Sequence, residues 1–424
     1  TNLRLVIENF ARYGLLVRIF PSDIRDVIHN WPLLWCFIKL HGAFLLSFVV
    51  EKFVFSLLPH LLTPLIALVP IVFMFHVPNL TIMAYNCDPG TSALLLCFSV
   101  TWTFKLISFH HTCFDYRRLQ AEGLPDDQLE RIEKHERGRI ERFPQSLTLS
   151  HMIRFLWVPT ICFQLGYPKL PRIRKSEVLK HTLVLALVGG LMKVLIEQYI
   201  LVTVQNTFDK LGTPLSALSL GGSELTTFQE KFKWAAHVVE RILKLSIPFL
   251  YLWLLLFVGL FHSWLNLLAE LTQFGDRLFY LDWWNAAGFR DYWQKWNLPI
   301  HHFFVRHLYK PLLSLGLNKI VAQLVIFFVS AALHEYMVCV PLKVGFNLWV
   351  FTAFMFQAPL VALANVPILK NNPTVGNISF WTSFCFFGQP VAILLYYWIW
   401  TQKNAGVRIP TVPEAVAPLS QQLG

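Results

Sequence analysis

Four stretches of this chain each run for at least 25 residues without a single Lys, Arg, Asp or Glu. They are Phe53–Cys87, Leu245–Ala269, Val344–Leu369 and Asn371–Gln402. A helix needs about 20 largely apolar residues to cross the hydrocarbon core of a bilayer. The runs are continuously apolar and do not alternate, so they predict membrane-spanning helices, which satisfy their own backbone hydrogen bonds in lipid.

The composition supports the same interpretation. Only 14% of the 424 residues are charged and 55% are hydrophobic, whereas about 25% of residues in an ordinary soluble domain are charged. Too few charges remain to cover the surface of a soluble globule. We therefore expect an all-α, polytopic transmembrane helical bundle with about nine spans, in a range of about nine to eleven. Candidate crossings, with re-entrant or paired segments expected among them, lie near residues 2–30, 32–57, 61–84, 91–113, 150–165, 178–207, 240–275, 318–342, 345–368 and 377–400.

The domain organisation expected from this pattern is simple. Residues 1–409 are predicted to form one membrane-embedded domain, and residues 410–424 are predicted to form a C-terminal tail. The chain opens at Thr1 without a Met, so we expect a further N-terminal segment to precede it.

The formal net charge of +11 does not indicate nucleic acid as a partner, because the basic residues are spread over loops between apolar stretches. Arg172, Arg174, Lys175 and Lys180 form a juxtamembrane cluster, which predicts a cytoplasmic loop. The seven cysteines contain no CxxC pair and lie mostly inside apolar runs. They predict neither a metal site nor a disulfide framework.

Two hydrophilic segments interrupt the apolar pattern. Residues 114–143 carry eight acidic and seven basic side chains, which predicts a polar connecting loop with a short surface helix. Residues 273–317 instead mix charges with Trp and Tyr, which favour the headgroup level of a bilayer. This second segment is predicted to lie at the membrane interface, although such aromatic belts are also common without a functional site.

The strongest candidate for chemistry is the polar triplet His334-Glu335-Tyr336, near the middle of the apolar stretch 320–342. An ionised acidic side chain at the centre of a membrane helix costs about 2.5 kcal/mol or more, so such residues face a bundle interior or a wet cavity. A neutral imidazole accepts a proton near neutral pH, which suits His334 to act as a general base. The alternative is a polar pair that only hydrogen-bonds to neighbouring helices.

Three side-chain amides near the apolar stretches are further candidates. Asn297 follows the aromatic segment, Gln389 lies in a Gly-Gln-Pro triplet, and Gln357 precedes Pro359. An amide can donate hydrogen bonds to an oxygen that gains negative charge during acyl transfer. Taken singly, each is more often a packing residue.

Several motifs carry a resemblance to a known enzyme family. Phe279–Asn285 reads FYLDWWN and resembles the FYxDWWN signature of the membrane-bound O-acyltransferase family, in the branch that esterifies neutral lipids with acyl-CoA. Three further segments are more similar to type-one diacylglycerol O-acyltransferases than to sterol O-acyltransferases. They are Trp296–Leu313, His334–Tyr336 and Gly388–Pro390. The likeness is densest over residues 262–341 and extends beyond them.

The resemblance implies a reaction chamber inside the membrane that receives acyl-CoA from the cytosol and diacylglycerol from the bilayer. His334 corresponds to the essential histidine of the family, Asn297 and Gln389 match polar residues that line the chamber, and Glu335 is expected to order or tune His334. Gln357 is expected to bind the acceptor. The residues expected to bind acyl-CoA are Trp283, Trp284, Trp293, Gln294, Trp296, His301, Tyr309, Ser330 and Lys319.

The same resemblance implies the partners and location of the protein. No cofactor is expected, because acyl-CoA is a substrate. A homodimer or homotetramer in the endoplasmic reticulum membrane is expected by analogy with the family.

Two positions depart from the pattern of this branch. The chain has Gln323 where a basic residue is common and Thr401 where a tyrosine is common, and both positions are linked to holding acyl-CoA. The departures weaken the expected contact with the nucleotide end of CoA and leave the chemistry unchanged.

Other functions remain compatible with the residues. A sterol or a long-chain alcohol can replace diacylglycerol as the acceptor, because acceptor pockets can change by a few substitutions. A di-iron desaturase uses clustered histidines as ligands, but Ile107 and Leu298 occupy the first histidine position of the two possible HxxHH boxes. A transporter is the non-enzyme alternative, and no paired broken helices indicate it.

Overall fold

The computed structural model describes residues 7, 9–11, 14–17, 30–54, 62–121, 143–144, 147–211, 228–363, 366 and 371–403. The named α-helices are α1 Trp31–Val49, α2 Thr63–Ala84, α3 Pro89–Ala121, α4 Leu149–Trp157, α5 Lys175–Val194, α6 Leu201–Leu211, α7 Phe228–Phe257, α8 Leu265–Leu271, α9 Phe289–Lys295, α10 Leu298–Phe304, α11 Lys310–Ser314, α12 Lys319–Leu342, α13 Trp349–Met355, α14 Gln357–Leu363, α15 Pro373–Thr382 and α16 Gln389–Lys403. Turns of π-helix occupy Val50–Val54, Leu195–Ile200, Val258–Trp264, Val305–Tyr309 and Ser383–Gly388, and a 3-10 turn occupies Trp283–Asn285.

The prediction of an all-α membrane bundle is confirmed. Within the described ranges, β-structure is limited to an isolated bridge between Lys169 and Phe274. Seven helical segments of the described chain are long and apolar enough to cross a membrane. They are Trp31–Phe53, Thr63–Ala84, Pro89–Ala121, Lys175–Asn206, Ala235–Leu271, Lys319–Leu342 and Pro373–Lys403.

The expected count of about nine spans is not confirmed. The predicted crossing at 2–30 lies largely outside the described residues, as do the tail 410–424 and the polar loop beyond Ala121. The predicted crossing at 150–165 is interrupted, because α4 ends at Trp157 after 9 residues. The predicted crossing at 345–368 consists of two short helices, α13 and α14, that meet at Phe356.

The spanning helices expose much of their apolar surface. Leu179, Leu183 and Leu187 recur every four residues along α5 and are 60–64% exposed. A contiguous exposed apolar stripe is a liability in water, whereas lipid is as apolar as leucine itself. This surface is therefore consistent with helices that face the bilayer.

The chain forms two compact units. One contains the described parts of Thr1–Ser22, Leu183–Leu260 and Asn377–Gly424, and its core packs Tyr199, Leu245 and Phe249 against side chains of α16. The other contains the described parts of Asp23–Thr182 and Phe261–Gly376. In its core, aromatic rings of α1 pack against Trp102 of α3 and Phe155 of α4. The prediction of one domain over residues 1–409 stays a prediction.

A buried lysine satisfies the end of α4. Lys105 of α3 is 3% exposed, and its ammonium group donates to the carbonyls of Phe155 at 2.7 Å, Leu156 at 3.0 Å and Val158 at 2.7 Å. The last carbonyls of a helix lack partners within the helix, and the negative end of the helix dipole favours a cation there. Lys105 thereby allows the chain to leave its helix at Trp157 inside an apolar region.

Candidate active site

His334 lies on α12 with one ring nitrogen held by the backbone. Its Nδ1 lies 2.7 Å from the carbonyl oxygen of Ser330, one helical turn earlier. A carbonyl oxygen only accepts, so Nδ1 carries the proton and Nε2 presents its lone pair. No hydrogen-bond partner for Nε2 lies within the described part of the chain. This tautomer is the one that a general base needs.

The imidazole of His334 is also held by an aromatic ring. Phe354 of α13 stacks on it, with ring centroids 3.8 Å apart and an angle of 24° between the planes. Phe354 was not predicted as a site residue, because nothing in the apolar run 344–369 distinguishes it from its neighbours. The contact arises only when α13 packs against α12.

Glu335, beside His334, is engaged with the start of α13. The side chain is 1% exposed. One carboxylate oxygen accepts hydrogen bonds from the backbone N–H groups of Asn347 at 3.0 Å and Leu348 at 2.7 Å, and from the thiol of Cys339 at 3.1 Å. The other oxygen accepts from the N–H of Phe351 at 3.0 Å. Glu335 therefore satisfies free N–H groups at the N-terminus of α13, where the helix dipole favours an anion.

The turn between α12 and α13 requires this support. Lys343, Gly345 and Leu348 all have left-handed backbone conformations, with φ of 55°, 80° and 62°. Such conformations are unfavourable for residues other than glycine and persist where the surroundings hold them. Leu348 donates its N–H to Glu335, and Lys343 donates from its ammonium group to the carbonyl of Tyr85 at 2.7 Å.

A series of aromatic rings connects this histidine to the predicted acyl-CoA segment. Trp293 of α9 lies with its ring centroid 6.0 Å from Phe354 and 6.4 Å from Phe327. Trp296 follows at 6.2 Å from Trp293. One phenyl ring thus separates the indole of Trp293 from the imidazole of His334, and the structure brings these two predicted site residues together.

Asn297 has a fixed amide orientation. It is the N-cap of α10, where its Oδ1 accepts a hydrogen bond from the N–H of Ile300 at 3.2 Å. Asparagine is a favoured N-cap residue because its side-chain oxygen satisfies such N–H groups. Since the oxygen is used in this way, the amide NH₂ is the end that can donate to another group.

The FYLDWWN motif packs onto α9 and α10. The N–H of Leu281 donates to the carbonyl of Lys295 at 2.9 Å, and the N–H of Leu298 donates to the carbonyl of Phe279 at 3.0 Å. The ammonium group of Lys295 pairs with Asp282 at 3.2 Å and with Asp291 at 3.0 Å. These carboxylates raise the pKa of Lys295. The motif therefore stabilises the helices that carry Trp293 and Asn297.

The remaining predicted residues occupy varied positions. Trp283 is 2% exposed and belongs to the packed interior of the motif, whereas Trp284 is 48% exposed. Gln294 and Lys319 are exposed, and the partly buried residues are Trp296, His301, Tyr309, Ser330, Gln357 and Gln389. Burial, followed by the charge of His302, lowers the pKa of His301. Gln389 begins α16 in the unit that does not contain His334.

A hydrogen-bonded histidine pair was also not predicted. His307 lies 2.7 Å from Ser108 Oγ through Nε2 and 2.9 Å from His111 Nδ1 through its own Nδ1. Burial is the largest cause that lowers the pKa of His307, to about 2, and the positive charge of Arg306 adds to it. In the part of the chain that the structure describes, no group of three or more His, Cys, Asp or Glu is arranged to hold a metal ion.

Comparison with known proteins identifies the family. The family model described as MBOAT, membrane-bound O-acyltransferase family, matches residues 53–398. The chain belongs to this family. Membership makes it an acyltransferase and a multi-pass membrane protein, as the sequence motifs predicted.

The relatives are more specific in name. Diacylglycerol O-acyltransferase 1C of Glycine max is 38% identical over 413 residues, which cover 93% of this chain and 72% of the relative. Diacylglycerol O-acyltransferase 1-1 of Oryza sativa subsp. japonica is 38% identical over 405 residues, with 93% and 69% covered. Diacylglycerol O-acyltransferase 1 of Arabidopsis thaliana is 37% identical over 402 residues, with 93% and 70% covered.

Proposed function

We propose that this protein transfers a fatty acyl group from acyl-CoA to the free hydroxyl of diacylglycerol, releasing CoA and triacylglycerol. The names of its relatives support this substrate pair. The observation that carries the proposal is the hydrogen bond from His334 Nδ1 to the carbonyl of Ser330, within a helix long enough to span the membrane. This bond leaves a basic nitrogen, Nε2, in an apolar setting.

In the proposed reaction, His334 Nε2 accepts the proton of the acceptor hydroxyl as the hydroxyl oxygen attacks the thioester carbonyl carbon. The tetrahedral intermediate then collapses, the carbon–sulfur bond breaks, and the imidazolium returns the proton to the departing CoA thiolate. The amide NH₂ of Asn297 donates to the carbonyl oxygen as it gains negative charge. The role in the reaction that the resemblance implies for Gln389 stays a prediction.

The aromatic surroundings suit a reaction that must exclude water. Phe354 and Phe327 flank the site with rings that carry no polar group. Exclusion of water protects the thioester from hydrolysis and strengthens the few polar contacts that remain. Glu335 acts in this proposal as a positioning residue, because its carboxylate holds the helix that carries Phe354.

The assignment is tested with purified protein in lipid nanodiscs, supplied with oleoyl-CoA and with diacylglycerol, cholesterol or a long-chain alcohol in parallel. Triacylglycerol is the expected main product. His334→Ala is expected to lower turnover by about 10²-fold or more, in the range typical of general acid–base catalysis. Gel filtration and a melting curve check that the variant remains folded.

Two outcomes would overturn parts of this proposal. Near-normal turnover in a folded His334→Ala variant would remove the histidine from the chemistry. Preferential formation of cholesteryl ester or wax ester would favour the sterol or long-chain-alcohol alternative.

We propose an endoplasmic reticulum location and a homodimer or homotetramer by family analogy. Organelle imaging tests the location, and light scattering of the purified protein tests the oligomeric state.

A further inference from the structure

The indole N–H of Trp293 is a buried donor that the protein leaves unused. Its Nε1 is inaccessible to solvent and meets no hydrogen-bond acceptor within the described residues. A buried tryptophan N–H usually finds a partner, and an exception in a native structure calls for an explanation. The described contacts of Trp293 that the structure records are all with aromatic rings.

The surroundings of this donor limit what its partner can be. The rings of Phe354, Phe327 and Trp296 pack around the indole, and none of them carries a charge. The nearest lysine in sequence, Lys295, is already paired with two carboxylates. An anionic phosphate would be poorly matched to such a site, because burial of a charge without a counter-charge is unfavourable. A neutral carbonyl oxygen is a suitable acceptor.

The position of the indole near His334 indicates which carbonyl group accepts its hydrogen bond. Phe354 contacts Trp293 and also stacks on the imidazole of His334 at 3.8 Å. The bond that breaks during acyl transfer must lie close to the imidazole. We propose that Trp293 Nε1–H donates a hydrogen bond to the carbonyl oxygen of the acyl thioester, an inference that rests on the proposed acyl-CoA-dependent function.

The consequence is a catalytic role in addition to a binding role. The carbonyl oxygen gains negative charge as the acceptor attacks, and a hydrogen bond donated to it becomes stronger at that moment. Trp293 forms no covalent bond and transfers no proton. It orients the carbonyl and then stabilises the oxyanion, together with the amide of Asn297.

The test compares two unreactive CoA analogues of equal chain length. In the ketone analogue, CH₂ replaces the thioester sulfur and the carbonyl is retained; in the thioether analogue, the sulfur is retained and CH₂ replaces the carbonyl. Trp293→Phe removes the donor and keeps an aromatic ring. We expect about five- to tenfold weaker binding of the ketone and less than about twofold weaker binding of the thioether, as for the loss of one neutral hydrogen bond. Trp296→Phe is the matched control and is expected to change both affinities equally.

A second variant covers a failure of Trp293→Phe to fold. Trp293→3-benzothienylalanine replaces the ring N–H with sulfur and keeps the full bicyclic shape. Equal weakening of both analogues, or no change in either, would overturn the inference, since the indole would then act only by packing or not at all. If the unmodified protein binds neither analogue, the proposed function itself fails. If the unmodified protein binds both analogues and Trp293→Phe does not change the preference between them, only the proposed role of Trp293 is refuted.

Discussion

Replacement of Glu335 by glutamine tests whether this carboxylate positions the catalytic histidine. In the native chain, one oxygen accepts two backbone N–H groups and a thiol, and the other accepts the N–H of Phe351. Glu335→Gln keeps one acceptor oxygen and replaces the other with an NH₂ group. In whichever orientation the amide adopts, at least one backbone N–H of the α13 N-terminus then faces a donor.

The magnitude follows from these contacts. A buried N–H that loses its acceptor costs about 1–3 kcal/mol, and loss of the anion at a helix N-terminus costs up to about 2 kcal/mol more. We expect the free energy of unfolding to fall by about 2–4 kcal/mol. Loosening of α13 also releases Phe354 from the imidazole of His334. Each 1.4 kcal/mol of lost transition-state stabilisation lowers kcat about tenfold, and we expect a loss of about 10- to 100-fold.

The assay measures kcat for triacylglycerol synthesis and the melting temperature on the same nanodisc preparation. Cys339→Ala is the control, because it removes only the thiol donor and leaves the three backbone contacts intact. Phe354→Leu is expected to reproduce the loss of kcat with a smaller loss of stability. A Glu335→Gln variant as stable as the native protein but inactive would refute the reasoning, because Glu335 would then act directly in the chemistry.

Two further predictions concern the buried Lys105 and the partly buried His307 of the same unit. Lys105→Met leaves the last carbonyls of α4 without their donor, which should lower the free energy of unfolding by about 3 kcal/mol or more. Lys52→Met, at an exposed position, is the control. Equal melting temperatures of the two variants would contradict the prediction. His307 has a folded-state pKa lowered from 6.5 to about 2, chiefly by burial and then by Arg306 and His111. Below pH 6.5 the unfolded chain binds a proton that the folded chain does not, so stability should fall by about 1.4 kcal/mol per pH unit as the pH drops towards 2. Melting curves between pH 7.5 and 5.5 should show a weaker dependence in His307→Gln, and identical slopes would refute this.

The long helices were predictable because the apolar pattern that defines them is local. The prediction of a crossing at 178–207 corresponds to Lys175–Asn206 in the structure, and that at 318–342 corresponds to Lys319–Leu342. His334 was also predictable, since a polar residue inside such a run requires an explanation. Phe354 was not predictable, because its contact depends on how α13 packs on α12 and hydropathy does not distinguish one apolar residue from another.

The failure at 150–165 has a clear physical cause, and the same cause sets the point at which α13 begins. An apolar run indicates a spanning helix because a backbone that leaves the helix in lipid has no partners for its polar groups. The indication fails where side chains supply those partners. Two charged side chains on spanning helices supply such hydrogen-bond partners here. Lys105 donates to carbonyls at the C-terminus of α4, and Glu335 accepts from N–H groups at the N-terminus of α13. The sign of each charge is the one that the helix dipole favours. A charge inside an apolar stretch is therefore as much a marker of a nearby helix end as of catalysis. The triplet His334-Glu335-Tyr336 separates these two meanings, because its histidine retains an unpaired basic nitrogen within the described chain while its glutamate is occupied by backbone.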